Sequence, residues 1–300
     1  MTRLLTGLVG LSLAAGCSGD DAAPQVVDGP VSDVRCPTSD PFGPAMALTE
    51  LNYTSNELVD DYTASLTADE RTIYFSSSRH GGFGKTDIFS AKRPSLTEPF
   101  AAPVRMPGVN TAGHDNRPMV TADGLTLYAE INGGTLEWNV AAATRASVAE
   151  RFGAPVPVAE LSSPSIDVAP FVIPDHSAIY FSSVRSGNSE LYRATRDGGT
   201  ISAPVLVEGL ASPSQEDYPV LASGELEIIF SSDRAGGSDL WRAERATVTA
   251  PFGAPVAITE LNTAGLETPG WLSPDSCRLY FARTTPPGAN YDLYVATRQR

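Results

Sequence analysis

One segment is repeated five times along this chain. Each copy contains a turn position, then an apolar stretch four residues later, and then a second stretch that ends in Ala-x-Arg. The turn positions are Asp69, Asp123, Asp175, Gly224 and Asp275, so the intervals are 54, 52, 49 and 51 residues. A regular period of this length indicates a repeat architecture, in which every copy forms the same structural unit.

Each unit contains four short apolar stretches. In the third unit they are APFVI (169–173), IYFSS (179–183), ELYRATR (190–196) and ISAPVLVEGL (201–210). Prolines recur inside every unit and no stretch keeps a 3.6-residue period, which excludes helical solenoids. Radial closure of four-stranded units removes the unpaired strand edges that a flat stack would expose. The sequence therefore predicts an all-β fold, a five-bladed β-propeller of four-stranded antiparallel blades.

One element of the repeat is displaced to the start of the chain. The segment PFGPAMALTEL (41–51) matches the stretch between repeats, but it precedes the first of them. We expect residues 45–51 to form the outermost strand of the last blade by pairing with residues 291–297, which closes the ring. The propeller domain is then 41–300, and its repeats cover approximately 41–93, 94–145, 146–196, 197–245 and 246–298.

Residues 1–16 have the pattern of a secretory signal. Arg3 precedes an apolar run that is too short to span a bilayer. The run ends in LAAGC (13–17), which resembles the lipobox of bacterial lipoproteins, and this resemblance implies a lipid on Cys17. Ser18 implies an outer-membrane destination, whereas an ordinary cleaved signal with a chance cysteine is the alternative. Residues 17–40 are rich in Pro, Gly and Asp, which predicts a flexible tether.

Two cysteines remain, Cys36 and Cys277. Because export places them in an oxidising compartment, their even number predicts a disulfide, and two free thiols are the alternative. On the propeller arrangement this bridge would reinforce the seam where no peptide bond holds the ring.

Two stretches resemble a known family. VIPDHSAIYFSSVRSGNSELYRATR (172–196) and LSPDSCRLYF (272–281) resemble the WD40-like propeller repeat of the TolB type, and the resemblance covers residues 41–298. Repeats 2 and 5 depart from the pattern, with AEINGG (129–134) and ARTTPPG (282–288). The chain is too short for the N-terminal domain and six blades of TolB. The resemblance therefore implies an exported propeller without carrying over the partners of TolB.

Several polar residues recur with the repeat. The turn aspartates are predicted to be structural, because Asp accepts hydrogen bonds from nearby backbone amides in tight turns. An arginine follows the second strand in repeats 1, 3 and 4, and it is predicted to pair across the turn with the acid that opens the third strand. These arginines are Arg79, Arg185 and Arg234, and their expected partners are Asp87, Glu190 and Asp239.

An acid stands eight residues before each turn position. The five are Asp61, Asp115, Asp167, Glu216 and Glu267. We expect them around the mouth of the central channel, where five carboxylates would attract a cation, and oxygen ligands favour Ca²⁺ or Mg²⁺. The alternative is that each acid bonds backbone amides of its own loop or of the next blade. His114, next to Asp115, is a candidate accessory residue.

The composition restricts the function. With 35 acidic and 21 basic residues the chain has a net charge of −14, which disfavours nucleic acid as a partner. No nucleophile elbow, zinc motif or phosphate loop occurs. The repeated acids suggest a carbohydrate-active enzyme as one reading, but their symmetry argues against it, because catalysis needs carboxylates in unlike environments.

The sequence therefore predicts a binding or scaffolding module without catalytic residues or a cofactor. We expect a monomer that is tied to the membrane only through its lipid and that binds an envelope protein or a peptidoglycan-associated partner. Loops vary on a rigid scaffold, so the partner surface is expected in the most divergent ones. These loops are residues 78–87, 110–117, 131–139 and 283–292.

Overall fold

The computed structural model describes residues 35–54, 59–80, 82, 85–132, 138–222, 224–284 and 290–299. The predicted fold class is confirmed, because this part of the chain forms five antiparallel sheets arranged as the blades of a propeller. Within the same ranges no helix is long and apolar enough to cross a membrane. The predicted signal peptide and Cys17 lie outside the described residues.

The blades share one design, with the innermost strand first. The chain enters with β1 (Met46–Ala47). The first blade contains β2 (Asp61–Leu66), β3 (Thr72–Ser77), β4 (Asp87–Lys92) and β5 (Val104–Arg105). The second contains β6 (Asp115–Val120), β7 (Thr126–Ile131), β8 (Asn139–Thr144) and β9 (Val156–Pro157).

The later blades follow the same order. The third contains β10 (Asp167–Val172), β11 (Ala178–Ser183), β12 (Glu190–Asp197) and β14 (Val205–Leu206), and the short β13 (Thr200–Ile201) extends the end of β12. The fourth contains β15 (Glu216–Leu221), β16 (Glu227–Ser232), β17 (Asp239–Glu244) and β18 (Val256–Ala257). The fifth contains β19 (Glu267–Leu272), β20 (Arg278–Thr284) and β21 (Tyr291–Thr297), and β1 completes it.

The two ends of the chain meet in the last blade. Met46 and Ala47 pair with Val295 and Tyr294 of β21, as the displaced segment predicts. Beyond the strand, the side-chain amide of Asn52 accepts the Leu293 N–H at 2.8 Å and donates to the Leu293 carbonyl at 3.2 Å. The last blade therefore gains its outermost strand from the beginning of the chain.

Two further contacts reinforce this seam. Cys36, just before the closing segment, forms a disulfide with Cys277 in the last blade. On the neighbouring blade, Glu70 ion-pairs with Arg278, and its Oε2 accepts the Tyr280 hydroxyl at 2.9 Å. The seam is thus held by strand pairing, by a covalent bridge and by a buried ionic contact.

Glu70 occupies a position that usually needs glycine. Its φ is 54°, and the residue after every turn position has a positive φ. Outside glycine this conformation costs about 1–2 kcal/mol. The contacts of Glu70 across the seam offset that cost, and Glu225 does the same between the third and fourth blades by binding Arg193 and Tyr180.

The innermost strands pack tightly around the axis. Each contains a register shift near its third residue, and in four blades that residue is a non-glycine with positive φ. In the fifth blade Gly270 follows the equivalent Pro269, and a Cβ there would lie 2.5 Å from the Ala64 carbonyl oxygen. Only glycine therefore allows the first and fifth blades to approach this closely.

Deleting residues 41–52 is expected to abolish cooperative folding. The deletion removes the strand pairing and three buried side chains, Phe42, Leu48 and Leu51. Each contributes about 1.5–3 kcal/mol, a sum comparable to the stability of a whole domain. Thermal melts followed by circular dichroism test this, with Met46→Ser as the control because Met46 is 66% exposed. A deleted chain that melts as late and as cooperatively as the parent would refute this mode of closure.

Candidate functional site

The five repeated acids open the five innermost strands and are fully buried. In the third blade, Asp167 Oδ2 accepts the N–H and the hydroxyl of Ser163 at 2.5 and 2.7 Å. Its Oδ1 accepts the Ser183 hydroxyl and Arg185 Nη2, both at 2.6 Å. This carboxylate therefore closes its own loop and leaves no surface for a ligand, since the residue is 0% exposed.

The other four acids are held in similar ways. Each accepts a backbone N–H from the loop before its strand, and in three of them a loop hydroxyl also donates. The donors are Tyr53 N for Asp61, Thr111 N and Oγ1 for Asp115, Ser212 N and Oγ for Glu216, and Thr263 N and Oγ1 for Glu267. The geometry is the loop-bonded alternative that the sequence left open. Among the described residues, no three His, Cys, Asp or Glu side chains gather as a metal-ligand set.

The cross-turn partners predicted for the arginines are wrong. Arg79, Arg185 and Arg234 instead ion-pair with the acid of their own innermost strand, at 2.6, 2.6 and 2.8 Å. Each guanidinium also donates to a leucine carbonyl near the outermost strand and lies over aromatic rings of the blade. The serine two residues before each arginine accepts a hydrogen bond from the arginine Nε. This bond turns the guanidinium towards the innermost strand of its own blade.

The fifth blade obtains the same contact from a different position. Arg283 stands two places earlier than the other arginines, where they have serine. Its Nε lies 3.2 Å from Glu267 Oε1, and its Nη2 donates to the Leu261 carbonyl. The clasp, meaning the pair of innermost-strand acid and arginine, is therefore present in four blades.

Asp115 in the second blade is held differently. It is 0% exposed, and among the described residues Thr111 supplies its hydrogen bonds, at 2.6 Å from N–H and 2.9 Å from Oγ1. Burial raises the pKa of Asp115 to about 6, although the Thr111 hydrogen bonds oppose this, and the nearby Asp87 carboxylate raises it further. Asp115 thus differs from the other four, each of which ion-pairs with an arginine.

Acids also meet across the junctions between blades. Four innermost-strand acids donate their N–H to the carbonyl of the residue just before the third strand of the preceding blade, as from Glu216 to the Ser189 carbonyl at 2.9 Å; the four are Asp115, Asp167, Glu216 and Glu267. This contact brings the acid that opens the third strand, where there is one, near the innermost acid of the next blade, as with Glu190 and Glu216. Burial and Glu216 together raise the pKa of Glu190 to about 7, and burial and Asp61 raise that of Asp292.

Side chains fill the central channel. One cavity of about 20 Å³ lies between Arg117, Tyr218 and their neighbours. A second, of about 30 Å³, lies among apolar residues such as Met119 and Trp271 towards the other end. Each is large enough for about one or two water molecules. These two cavities in the channel therefore have no room for a ligand larger than a few atoms.

Aromatic and polar side chains gather at the mouth where the innermost strands begin. We call Tyr62, His114, Arg117, Trp138 and Tyr291 the mouth cluster. The His114 and Trp138 ring centroids are 5.4 Å apart, those of Tyr62 and Tyr291 are 5.9 Å apart, and the Tyr62 hydroxyl donates to Asn116 Oδ1 at 2.8 Å. All five side chains are partly exposed.

The mouth cluster carries little net charge. Arg117 Nη1 lies 2.7 Å from Glu130 Oε2, and its guanidinium stacks over the Tyr218 ring at 3.8 Å. Burial lowers the pKa of His114, and Lys85 lowers it further, which favours the neutral imidazole. The cluster therefore offers aromatic faces and hydrogen-bonding groups rather than a strong charge.

The sequence identified one of these five residues as a candidate site residue. Four of the five lie in the divergent loops that are predicted to form the partner surface: His114, Arg117, Trp138 and Tyr291. Only His114 is also predicted as an individual site residue. A signal for Tyr62 and Arg117 existed, because the second and third positions of the innermost strand vary among repeats while the first is always acidic.

The substitution Asp115→Asn is expected to reduce the pH dependence of stability. Because folding raises the pKa of this carboxyl, its contribution to the free energy of unfolding is fully present below about pH 4 and is lost as the pH rises through about 6. Between pH 5 and pH 8 we expect the Tm of the parent to fall by about 2–4 °C more than that of the variant. Asp167→Asn is the control, since loss of its arginine contact lowers Tm at both pH values. Parallel profiles of parent and Asp115→Asn would contradict the raised pKa.

No protein-family model matches the chain, and no curated protein sequence matches it. Solved structures do share its fold. The chain is similar to a GH62 hydrolase in complex with xylotriose, with a TM-score of 0.55 and 14% identity over 87% of this chain and 99% of the hydrolase. It is also similar to an endo-arabinase from Bacteroides thetaiotaomicron, with a TM-score of 0.54 and 15% identity over 82% of this chain and 95% of the arabinase.

A third similar structure is TolB from Acinetobacter baumannii, with a TM-score of 0.49 and 15% identity over 82% of this chain. The chain spans 56% of the length of that TolB. At these identities the similarities to the GH62 hydrolase and the endo-arabinase show a shared β-propeller fold and nothing about activity.

Proposed function

We propose that this chain is an exported, lipid-anchored binding module of the cell envelope, and that the mouth cluster holds a protein or peptidoglycan-associated partner. The proposal rests on a contrast between the residues that repeat in every blade and those that vary. The repeated acids are buried and bonded within their blades, whereas the residues that vary between repeats form a partly exposed surface at the channel mouth. The signal-like residues 1–16 and the lipobox-like LAAGC support export and anchoring.

The chemistry of the mouth cluster suits a neutral, polar partner. Tyr and Trp supply contact area at low entropic cost and also donate hydrogen bonds, which makes them frequent in binding surfaces. Aromatic faces such as those of Tyr62 and Trp138 can stack on sugar rings or on peptide side chains. Glu130 holds the Arg117 guanidinium by an ion pair, and the same guanidinium stacks on the Tyr218 ring. These two contacts fix the position of Arg117 near the propeller axis. Cell-wall glycan strands and peptide segments both match these properties.

Substitutions at the mouth test the binding role. The full-length protein is expected to co-sediment with peptidoglycan sacculi or to capture an envelope protein by cross-linking. Trp138→Ala should weaken that binding about tenfold, because it removes an aromatic contact worth about 1.4 kcal/mol or more. Val156→Ala is the matched control, since Val156 is 65% exposed on an outermost strand. Equal binding by parent and Trp138→Ala, with unchanged Tm, would exclude this surface.

One observation favours a second candidate, a carbohydrate-active enzyme. Asp115 has a pKa of about 6 and lies next to His114, and a carboxyl that holds its proton near neutral pH is what a general acid requires. The complete burial of Asp115 argues against direct contact with a substrate.

A hydrolysis screen separates the two functions. If the chain is a glycosidase, it should release sugars from at least one polysaccharide, and Asp115→Asn should reduce the rate by at least about a hundredfold. Glu216→Gln serves as the comparison, because Glu216 is committed to its clasp with Arg234. No release from any glycan, or a rate that neither substitution changes, would remove the enzymatic candidate.

A further inference from the structure

The junction between the third and fourth blades contains more oxygen acceptors than donors. Asn188 Nδ2 lies 3.1 Å from Glu190 Oε1, 3.0 Å from the Ser212 carbonyl oxygen and 2.6 Å from the Ser214 carbonyl oxygen. An amide nitrogen carries two hydrogens, so it cannot satisfy three acceptors fully. Three oxygens from two blades therefore converge on the position of a single nitrogen atom.

Glu190 contributes a further acceptor at the same place. This residue is 5% exposed, and no group in the described part of the chain donates to its Oε2 with hydrogen-bond geometry, while the Glu216 carboxyl and the Ser212 amide lie near the same side chain. A buried carboxylate oxygen without a partner is costly, because burial removes its water and nothing replaces it. The side chain lies beside Glu216, whose N–H donates to the Ser189 carbonyl across the junction.

Glu216 has one oxygen that is still available. Its Oε1 accepts from Ser212, Ser232 and Arg234, whereas its Oε2 accepts a single long contact of 3.3 Å from the Ser212 N–H. The clasp therefore holds the carboxylate in place through Oε1, and Oε2 has capacity for another partner.

Solvent reaches this junction through a cavity of about 480 Å³. Its lining includes Asn188, Ser189, Ser214, Gln215 and Asp233. A cavity of this size admits several water molecules and hydrated ions. The cavity thus reaches Asn188 and Ser214 from solvent, and the oxygens of Glu190 and Ser212 lie within hydrogen-bond distance of Asn188 Nδ2.

We propose that this junction is a calcium site, in which Ca²⁺ takes the place of the Asn188 amide nitrogen among the oxygens of Glu190, Ser212, Ser214 and Glu216. Asn188 then presents its Oδ1 to the ion, and waters from the cavity complete the coordination. This junction site shares Glu216 with the ring of five acids expected from the sequence, but it lies at a single blade junction and backbone carbonyls supply part of it.

The donor set selects calcium over other metals. It contains carboxylate, carbonyl and amide oxygens and no nitrogen or sulfur ligand, which disfavours zinc and copper. Calcium accepts six to eight oxygens in flexible geometry, whereas magnesium demands a near-ideal octahedron. Two carboxylates give modest affinity, in the range of about 10⁻⁴–10⁻³ M that is common in extracellular modules.

The corresponding residues at other junctions differ. The residue two places before the third strand is Lys85 at the first junction and Gly237 at the fourth, where Asn188 stands at this one. At the fourth junction Asp239 and Glu267 occupy the positions equivalent to Glu190 and Glu216, and no side-chain amide stands at the position of Asn188. Asp239 is therefore a matched control for Glu190.

Titration of the full-length protein with CaCl₂ tests the site. After treatment with a chelator, isothermal titration calorimetry should show one Ca²⁺ per chain, and Tm should rise with CaCl₂ more than with MgCl₂. Glu190→Gln, which keeps the shape and removes the charge, should weaken calcium binding at least tenfold. Asp239→Asn should leave the affinity unchanged.

Asn188→Asp provides a second, opposite test. Without calcium this variant should melt below the parent, because it adds a negative charge beside Glu190, and CaCl₂ should raise its Tm by more than it raises that of the parent. Absence of calcium binding by the parent would overturn the proposal. Affinity that survives Glu190→Gln, or that Asp239→Asn lowers equally, would also overturn it.

Discussion

The hydrogen bonds between β1 and β21 hold together the two ends of the propeller, at a seam that no peptide bond crosses. A strand of two residues offers few such bonds, so other contacts concentrate there. The Cys36–Cys277 disulfide links the segment before β1 to the last blade. The Asn52 amide bonds the segment after β1 to β21, and the Glu70 carboxylate joins the first blade to the last. An open ring would expose the buried faces of two blades. The ion pair between Glu70 and Arg278 opposes that opening and offsets the cost of the positive φ of Glu70.

Within each blade the repetition of sequence serves a repeated structural task. A buried carboxylate is stable only when its hydrogen-bonding capacity is used, and the loop amides and the arginine provide those partners in four blades. The second blade lacks the arginine, and the result is a carboxyl whose pKa is raised to about 6. The acid that opens the innermost strand is therefore part of an ion pair where an arginine is present, and in the second blade, without that arginine, its pKa is raised.

The sequence was sufficient to predict the fold because the fold depends on periodicity. The period, the four strands per unit and the displaced segment 41–51 determine the number of blades and the closure. The arginine partners depend instead on side-chain direction. Arg79 is eight residues from Asp87 and eighteen from Asp61, and spacing alone favours the nearer acid. The serine that accepts Arg79 Nε turns the guanidinium towards the other one.

The clasp of the fifth blade could not be found by alignment, because Arg283 reaches Glu267 from a position where the other blades have serine. The mouth cluster was missed for a related reason. Its members come from different blades and none repeats, so self-comparison gives no signal for Trp138 or Tyr291. The contrast between fixed and variable positions on the innermost strand points to Tyr62 and Arg117.

That contrast explains how one scaffold acquires a function. The first residue of every innermost strand is fixed, since its carboxylate holds the loop in place. The third residue of each innermost strand lines the channel, and its identity differs among the blades. Junction residues such as Asn188 have the same freedom, because the strands beside them stay in register whichever side chain is present. Asymmetry in this propeller is therefore located where the repeat leaves side chains unconstrained, and those are the positions at which we propose that a ligand or a partner is recognised.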